Sequence, residues 1–164
     1  MNLQNISFRQ NISKQDIQNV SDILTSTNFF NQEEIKVACE LVEETLKKWQ
    51  SESWYNFVFV DYEWKTIAYT CYGKIDWTIC SYDLYRIGTH NDFRWNGIGW
   101  ILLKETEKII ANKWTCNIYA ETAGKEQYKP TREFYEKNNY LKEAIIKDFY
   151  AKWDDKIIYS KKIA

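Results

Sequence analysis

The chain has 164 residues, 45% hydrophobic and 17% aromatic, with 22 Lys+Arg against 23 Asp+Glu and a formal charge of -1. That length suggests one domain (1–164), able to bury roughly 70% of its extended-chain surface. The 8 Trp and 12 Tyr argue against disorder, and the balanced charge argues against a nucleic-acid or anionic-membrane partner.

Ile6 to Arg9 is a short β candidate. Ser13 opens a helix, with Asp16 as a capping-box partner and Ile17, Val20 and Leu24 at helical spacing. A second helix begins near Asn31, with Glu33 and Glu34 in its first turn and Lys47 and Lys48 in its last, as the helix dipole favours. Ala38, Leu41, Val42, Leu46 and Trp49 form its apolar face. From Tyr55 the period changes: YNFVFV reads as a strand, DYEWK as a turn and TIAYTCYG as a strand. Trp77–Cys80 and Tyr82–Thr89 continue the β character, and Gly97 to about Ala111 is helical. CNIYAE is a strand, Pro130 suits the first turn of a helix over TREFYEKNN, and Asn139 suits its left-handed end. Strands near Ala144–Lys147 and Lys156–Ile163 close the chain. The order β-α-α-β-β-β-α-β-α-β-β predicts a mixed α/β or α+β fold, a central sheet with helices on both faces.

Cys39, Cys71, Cys80 and Cys116 are widely spaced, and His90 is the single histidine. No C-x-x-C pair exists, so a structural zinc site is not expected, and four buried, reduced thiols are. MNLQNISFRQ lacks an apolar signal region and no run reaches membrane-spanning length, which predicts a cytoplasmic protein.

Three of the 5 glycines, Gly88, Gly97 and Gly99, fall in YRIGTHNDFRWNGIGWILL, at a strand-to-helix switch. A helix start offers unpaired N–H groups and partial positive charge, and glycines let an anion approach the main chain. With Arg94 this reads as a cradle for a diphosphate. The Lys-Ser/Thr of a P-loop is missing, and Leu102 stands where a dinucleotide fingerprint needs its third glycine. Arg94-Trp95-Asn96-Gly97-Ile98-Gly99 instead fits [Q/R]-x-x-G-x-[G/A] at every fixed position.

That pattern, with FYEKNNY about 35 residues later, resembles the acetyl-CoA loop and following elements of the GNAT N-acetyltransferases. The resemblance covers nearly the whole chain and is specific from about Tyr82. It implies a GNAT-like fold: a mostly antiparallel twisted sheet of six to seven strands with about four helices. It also implies acetyl transfer from acetyl-CoA to a primary amine of a small molecule or peptide, by direct attack, with no metal. Many relatives pair through their C-terminal strands, so a homodimer is implied on analogy. Asn139 replaces a glycine of the pattern, and His90-Asn91 replaces an acidic residue and proline.

Carried onto this chain, the resemblance assigns Ile87, Gly88 and Thr89 to the pantetheine arm, with Gly88 small so as not to crowd it. Arg94, Trp95, Asn96, Gly97, Ile98 and Gly99 fall to the diphosphate. Tyr135, at an ordinary phenol pKa of about 10, is the coenzyme-proximal proton donor, with Phe134 the better core candidate. Glu121 is the candidate base, with Asp83 and His90 as rivals. Tyr72, Trp77, Tyr82, Tyr85, Tyr128 and Trp153 are candidates for the acceptor wall, although most aromatics in such a chain are core. A polycationic acceptor normally wants an acidic cleft, and no acidic run stands out except Asp154-Asp155. Two other readings remain: a silent acyl-CoA-binding module of the same fold, and a protein-interaction domain using exposed aromatics.

Overall fold

The computed structural model describes residues 5–48, 53–112 and 115–164. Seven strands, β1 (Ile6–Arg9), β2 (Asn56–Tyr62), β3 (Lys65–Lys74), β4 (Ser81–Thr89), β5 (Cys116–Ala123), β6 (Leu141–Ala151) and β7 (Asp154–Ile163), form one sheet in the order β1-β2-β3-β4-β5-β7-β6. The helices are α1 (Gln15–Ser26), α2 (Gln32–Lys47), α3 (Ile98–Ile110) and α4 (Lys129–Lys137). The β4–β5 pair is parallel, so the sheet is mixed rather than fully antiparallel. The chain forms two compact units, Met1–Gly73 with Arg86–Thr106, and Lys74–Tyr85 with Glu107–Ala164.

In the first unit β1, β2 and β3 form an antiparallel ladder, with a register shift between Val60 and Asp61. Val20, Ile23 and Leu24 of α1 and Ile35, Ala38 and Val42 of α2 pack on Phe57, Phe59, Tyr69 and Cys71. Leu41 and Leu46 are only partly buried, and Trp49 lies outside the described residues. The α2 start carries a capping box: the Asn31 side chain accepts from Glu34 N–H, and Glu34 accepts from Asn31 N–H, each at 2.9 Å.

The α1 start is built differently from the expectation. Asp16 accepts from Ser13 N–H at 2.8 Å, but the Ser13 hydroxyl also donates to it instead of capping the helix. The reason is a second demand on Asp16, which is fully buried and bound by the Arg9 guanidinium. Arg9 Nε also donates to Asp61 at 2.7 Å, and the guanidinium lies 4.2 Å from the Phe59 centroid. Burial pushes the Asp16 pKa up, yet hydrogen bonds from Arg9, Asn19 and Ser13 outweigh it and hold the carboxyl below its ordinary value. This knot ties β1, α1 and β2 together.

In the second unit the start of β4 pairs with β5, β5 with β7, and β7 with β6. Trp77 to Cys80 form the turn before β4 rather than more strand, with Trp77 at φ 63. Asn139 ends α4 at φ 64, as expected. Tyr135, Tyr140 and Tyr159 build the core here, with ring centroids 5.3 and 5.7 Å from Tyr135.

The expectation of four free thiols is corrected. Cys80 and Cys116 form a disulfide with Cα atoms 4.8 Å apart. Parallel pairing sets Ser81 against Asn117, which brings the preceding residue of each strand together. Cys71 is a buried free thiol and Cys39 a partly buried one.

Candidate active site

In the first unit the end of β4 leads into the glycine cluster. A Cβ at Gly88 would lie 3.2 Å from Tyr69 Cε1 and 3.4 Å from Ile23 and Leu24. Its missing side chain therefore makes room for α1 and β3, and not for a ligand as the sequence suggested.

His90 turns the chain. Its N–H donates to Ile67 O at 2.8 Å, and its Nδ1 accepts from Asp92 N–H at 3.3 Å. Nε2 lies 3.3 Å from Lys65 Nζ, and Asn91 N–H donates to the Ser26 hydroxyl. Burial, then the Lys65 charge, hold its pKa below 6.5, against the opposing pull of Asp92 and Asp22. His90 is thus a neutral cap on the short 3-10 turn Asn91–Phe93.

The next loop has two left-handed residues, Trp95 at φ 68 and Gly97 at φ 76. Gly97 has nothing within 4 Å of its Cβ direction, so its glycine answers a conformational need in open space. The Asn96 side chain donates to the Phe93 and Arg94 carbonyls at 3.3 and 3.2 Å, bracing the loop from within. The first helical bond runs from Ile101 N–H to Gly97 O at 3.0 Å. The amides of Ile98, Gly99 and Trp100 thus precede the α3 ladder, as the first turn of any helix requires. Left-handed turns feeding a helix start make a backbone concavity that suits an anion. The Arg94 guanidinium lies 5.5 Å from the centroid of exposed Trp95, at the same loop. These residues fit a nucleotide diphosphate.

In the second unit β5 carries Tyr119 and Glu121 on one face, and Asp83 of β4 sits opposite Tyr119. Glu121 is half-exposed and ion-pairs with Lys156 of β7, whose ammonium also lies 4.6 Å from the Phe149 centroid. Burial, then the Glu121 charge, push the Asp83 pKa up while Lys156 pulls it down, with a net rise. Tyr135 is buried, more so than Phe134, reversing the expected pair. Burial pushes its phenol far above 10, so it stays protonated.

The aromatics proposed for an acceptor wall scatter. Tyr72 is core, Tyr82 and Tyr128 are partly buried, and Tyr85, Trp77 and Trp153 are exposed. Lys156 was missed because antiparallel β7 pairing, invisible in sequence, brings it to Glu121. Among the described residues no group of His, Cys, Asp or Glu is placed to hold a metal, and no helix is long and apolar enough to cross a membrane.

Comparison with known proteins bears directly on this fold and loop. The model of the acetyltransferase (GNAT) family matches residues 18–140. A Desulfovibrio desulfuricans protein assigned to the GNAT acetyltransferases is 38% identical, with a TM-score of 0.92 over 97% of this chain and 99% of its own. The chain belongs to the GNAT acetyltransferase family. An aminoglycoside 6'-N-acetyltransferase complexed with coenzyme A shares the fold at 19% identity, TM-score 0.74 and 97% coverage of both chains. The ribosomal-protein-S18-alanine N-acetyltransferase of Escherichia coli does so at 14% identity and TM-score 0.75, over 97% of this chain and 94% of its own. No curated protein matches the sequence.

Proposed function

We propose that this chain is an acetyl-CoA-dependent N-acetyltransferase acting on a primary amine of a small molecule or peptide. The observation that carries the reading is the loop from Arg94 to Gly99, where left-handed Trp95 and Gly97 feed the open first turn of α3. Arg94 and the amides of Trp95, Asn96, Gly97, Ile98 and Gly99 hold the diphosphate, and the backbone of Ile87, Gly88 and Thr89 receives the pantetheine arm.

When bound, acetyl-CoA supplies an activated thioester. The chain's own residues position the amine and manage protons. An amine of pKa about 10 arrives as ammonium and must lose a proton before attack. Glu121, with Asp83 beside it, accepts that proton directly or through water. The nitrogen–carbonyl bond then forms, and a Thr89 main-chain N–H stabilises charge on the carbonyl oxygen. The carbon–sulfur bond breaks, the Tyr135 hydroxyl gives its proton to the departing sulfur, and the second proton lost by the nitrogen passes through water to restore the phenol.

Strand β6 supports a homodimer. All eleven of its residues are exposed, including Leu141, Ile145, Ile146, Phe149 and Tyr150.

Thermal melting with acetyl-CoA, followed by thiol release across an amine panel, tests the reading. A raised melting temperature with release on some amines supports it; an unchanged melt at millimolar acetyl-CoA refutes it. A raised melt with no release on any amine favours the silent binding module, a reading that the Glu121–Lys156 ion pair keeps in view.

A further inference from the structure

Arg86 has no role in the chemistry above. It shares a side of β4 with Gly88, whose Cβ direction meets Ile23 and Leu24 of α1, so its side chain leaves the sheet toward the helices. There its guanidinium carbon lies 5.8 Å from the centroid of Phe30, in the α1–α2 connection. Gly88, two residues along the same side of β4, has its Cβ direction 3.2 Å from Tyr69 Cε1, so Arg86 and the Tyr69 ring share this face, and the Arg86 charge opposes the rise that burial gives the Tyr69 phenol and the Cys71 thiol. Arg86 is partly buried, yet among the described residues no carboxylate pairs with it and no hydrogen bond engages its donors.

A second group beside it is also unmet. Tyr69 is 1% exposed, and its hydroxyl has no hydrogen-bond partner. A buried polar group without a partner carries a desolvation cost, and a guanidinium fork is shaped for a planar anion. One cation and one neutral donor match a single negative charge; a phosphate dianion would call for more cations. Phe30, partly buried against the α1–α2 core, is the apolar side chain beside the Arg86 cation.

We propose that Arg86 and the Tyr69 hydroxyl form a carboxylate subsite for the acceptor, which is therefore an amine bearing a carboxylate, such as a free amino acid. This names the substrate class of the reading above and rests on it. It also sets this chain apart from a transferase for polycationic acceptors, which Arg86 would repel.

The test is calorimetric titration of the free protein, and of the protein with coenzyme A, with leucine and phenylalanine beside their carboxamides. The acids are expected to bind about tenfold tighter or more than the amides. R86Q should remove the preference, R86K should restore part of it, and Y69F should reduce it a few-fold. Melting curves confirm that each variant is folded; should R86Q not fold, the acid-to-amide ratio of the native chain and of R86K decides. Equal affinity for acid and amide, no binding of either, or a preference that survives R86Q overturns the proposal. Acid preference without any acetyl-CoA melting shift would instead strike the transferase reading alone.

Discussion

Replacing Gly97 by alanine separates conformation from crowding. Gly97 sits at φ 76 with nothing within 4 Å of its Cβ direction, so an added methyl meets no atom. The left-handed backbone alone penalises an L-residue, by about 1–2 kcal/mol. That cost must appear in one of two places. If the loop keeps its shape, the protein loses stability and melts about 2–8 °C lower, at the 2–4 °C per kcal/mol typical of this size. If the loop relaxes in the free protein, stability is spared and the coenzyme must restore the shape, so its Kd rises about 5–30-fold. G97E should go further and abolish coenzyme binding, because it puts a carboxylate where the diphosphate belongs. Scanning fluorimetry across a coenzyme A titration reads melting temperature and Kd together. A G97A protein unchanged in both would refute the reasoning, since the open space leaves no compensating contact.

Asp16→Asn should cost about 1–3 kcal/mol in chemical denaturation, because the partly buried Arg9 cation keeps Asp61 but loses its fully buried carboxylate partner. The folded Asp16 pKa lies below the ordinary 3.8, so its stabilisation is complete above about pH 4 and fades as pH falls through the folded value; the variant's melting temperature should therefore fall less steeply below pH 4. Cys80→Ser, or a reductant, should destabilise by up to about 4 kcal/mol from the 36-residue separation, and a melt insensitive to reductant would contradict the pairing. Tyr135→Phe should lower turnover about 100-fold or more with the KM for acetyl-CoA changed only a few-fold; an unchanged kcat would remove Tyr135 from the chemistry.

The elements most legible in the sequence are those set by neighbours along the chain. Asn31 and Glu34 announce α2, Pro130 and Asn139 bracket α4, and the spacing from Arg94 to Gly99 marks a strand-to-helix turn, because caps and left-handed positions are local chemistry. What was missed depends on residues distant in sequence. Cys80 meets Cys116 through the β4–β5 register, and Lys156 meets Glu121 through β7. Gly88 read as room for a ligand, yet its neighbours Ile23, Leu24 and Tyr69 come from α1 and β3. Asp16 read as a helix cap, until Arg9 and Asp61 gave it a larger role. Phe134 and Tyr135 exchanged places because adjacent helical positions face different ways, and hydrophobicity alone does not say which face is inward.

A crystal grown with excess coenzyme A tests the central claim most directly. The account predicts the diphosphate against the amides from Trp95 to Gly99, with Arg94 beside it. Coenzyme bound elsewhere, or a loop kept closed by Trp95 or Trp100, would contradict it.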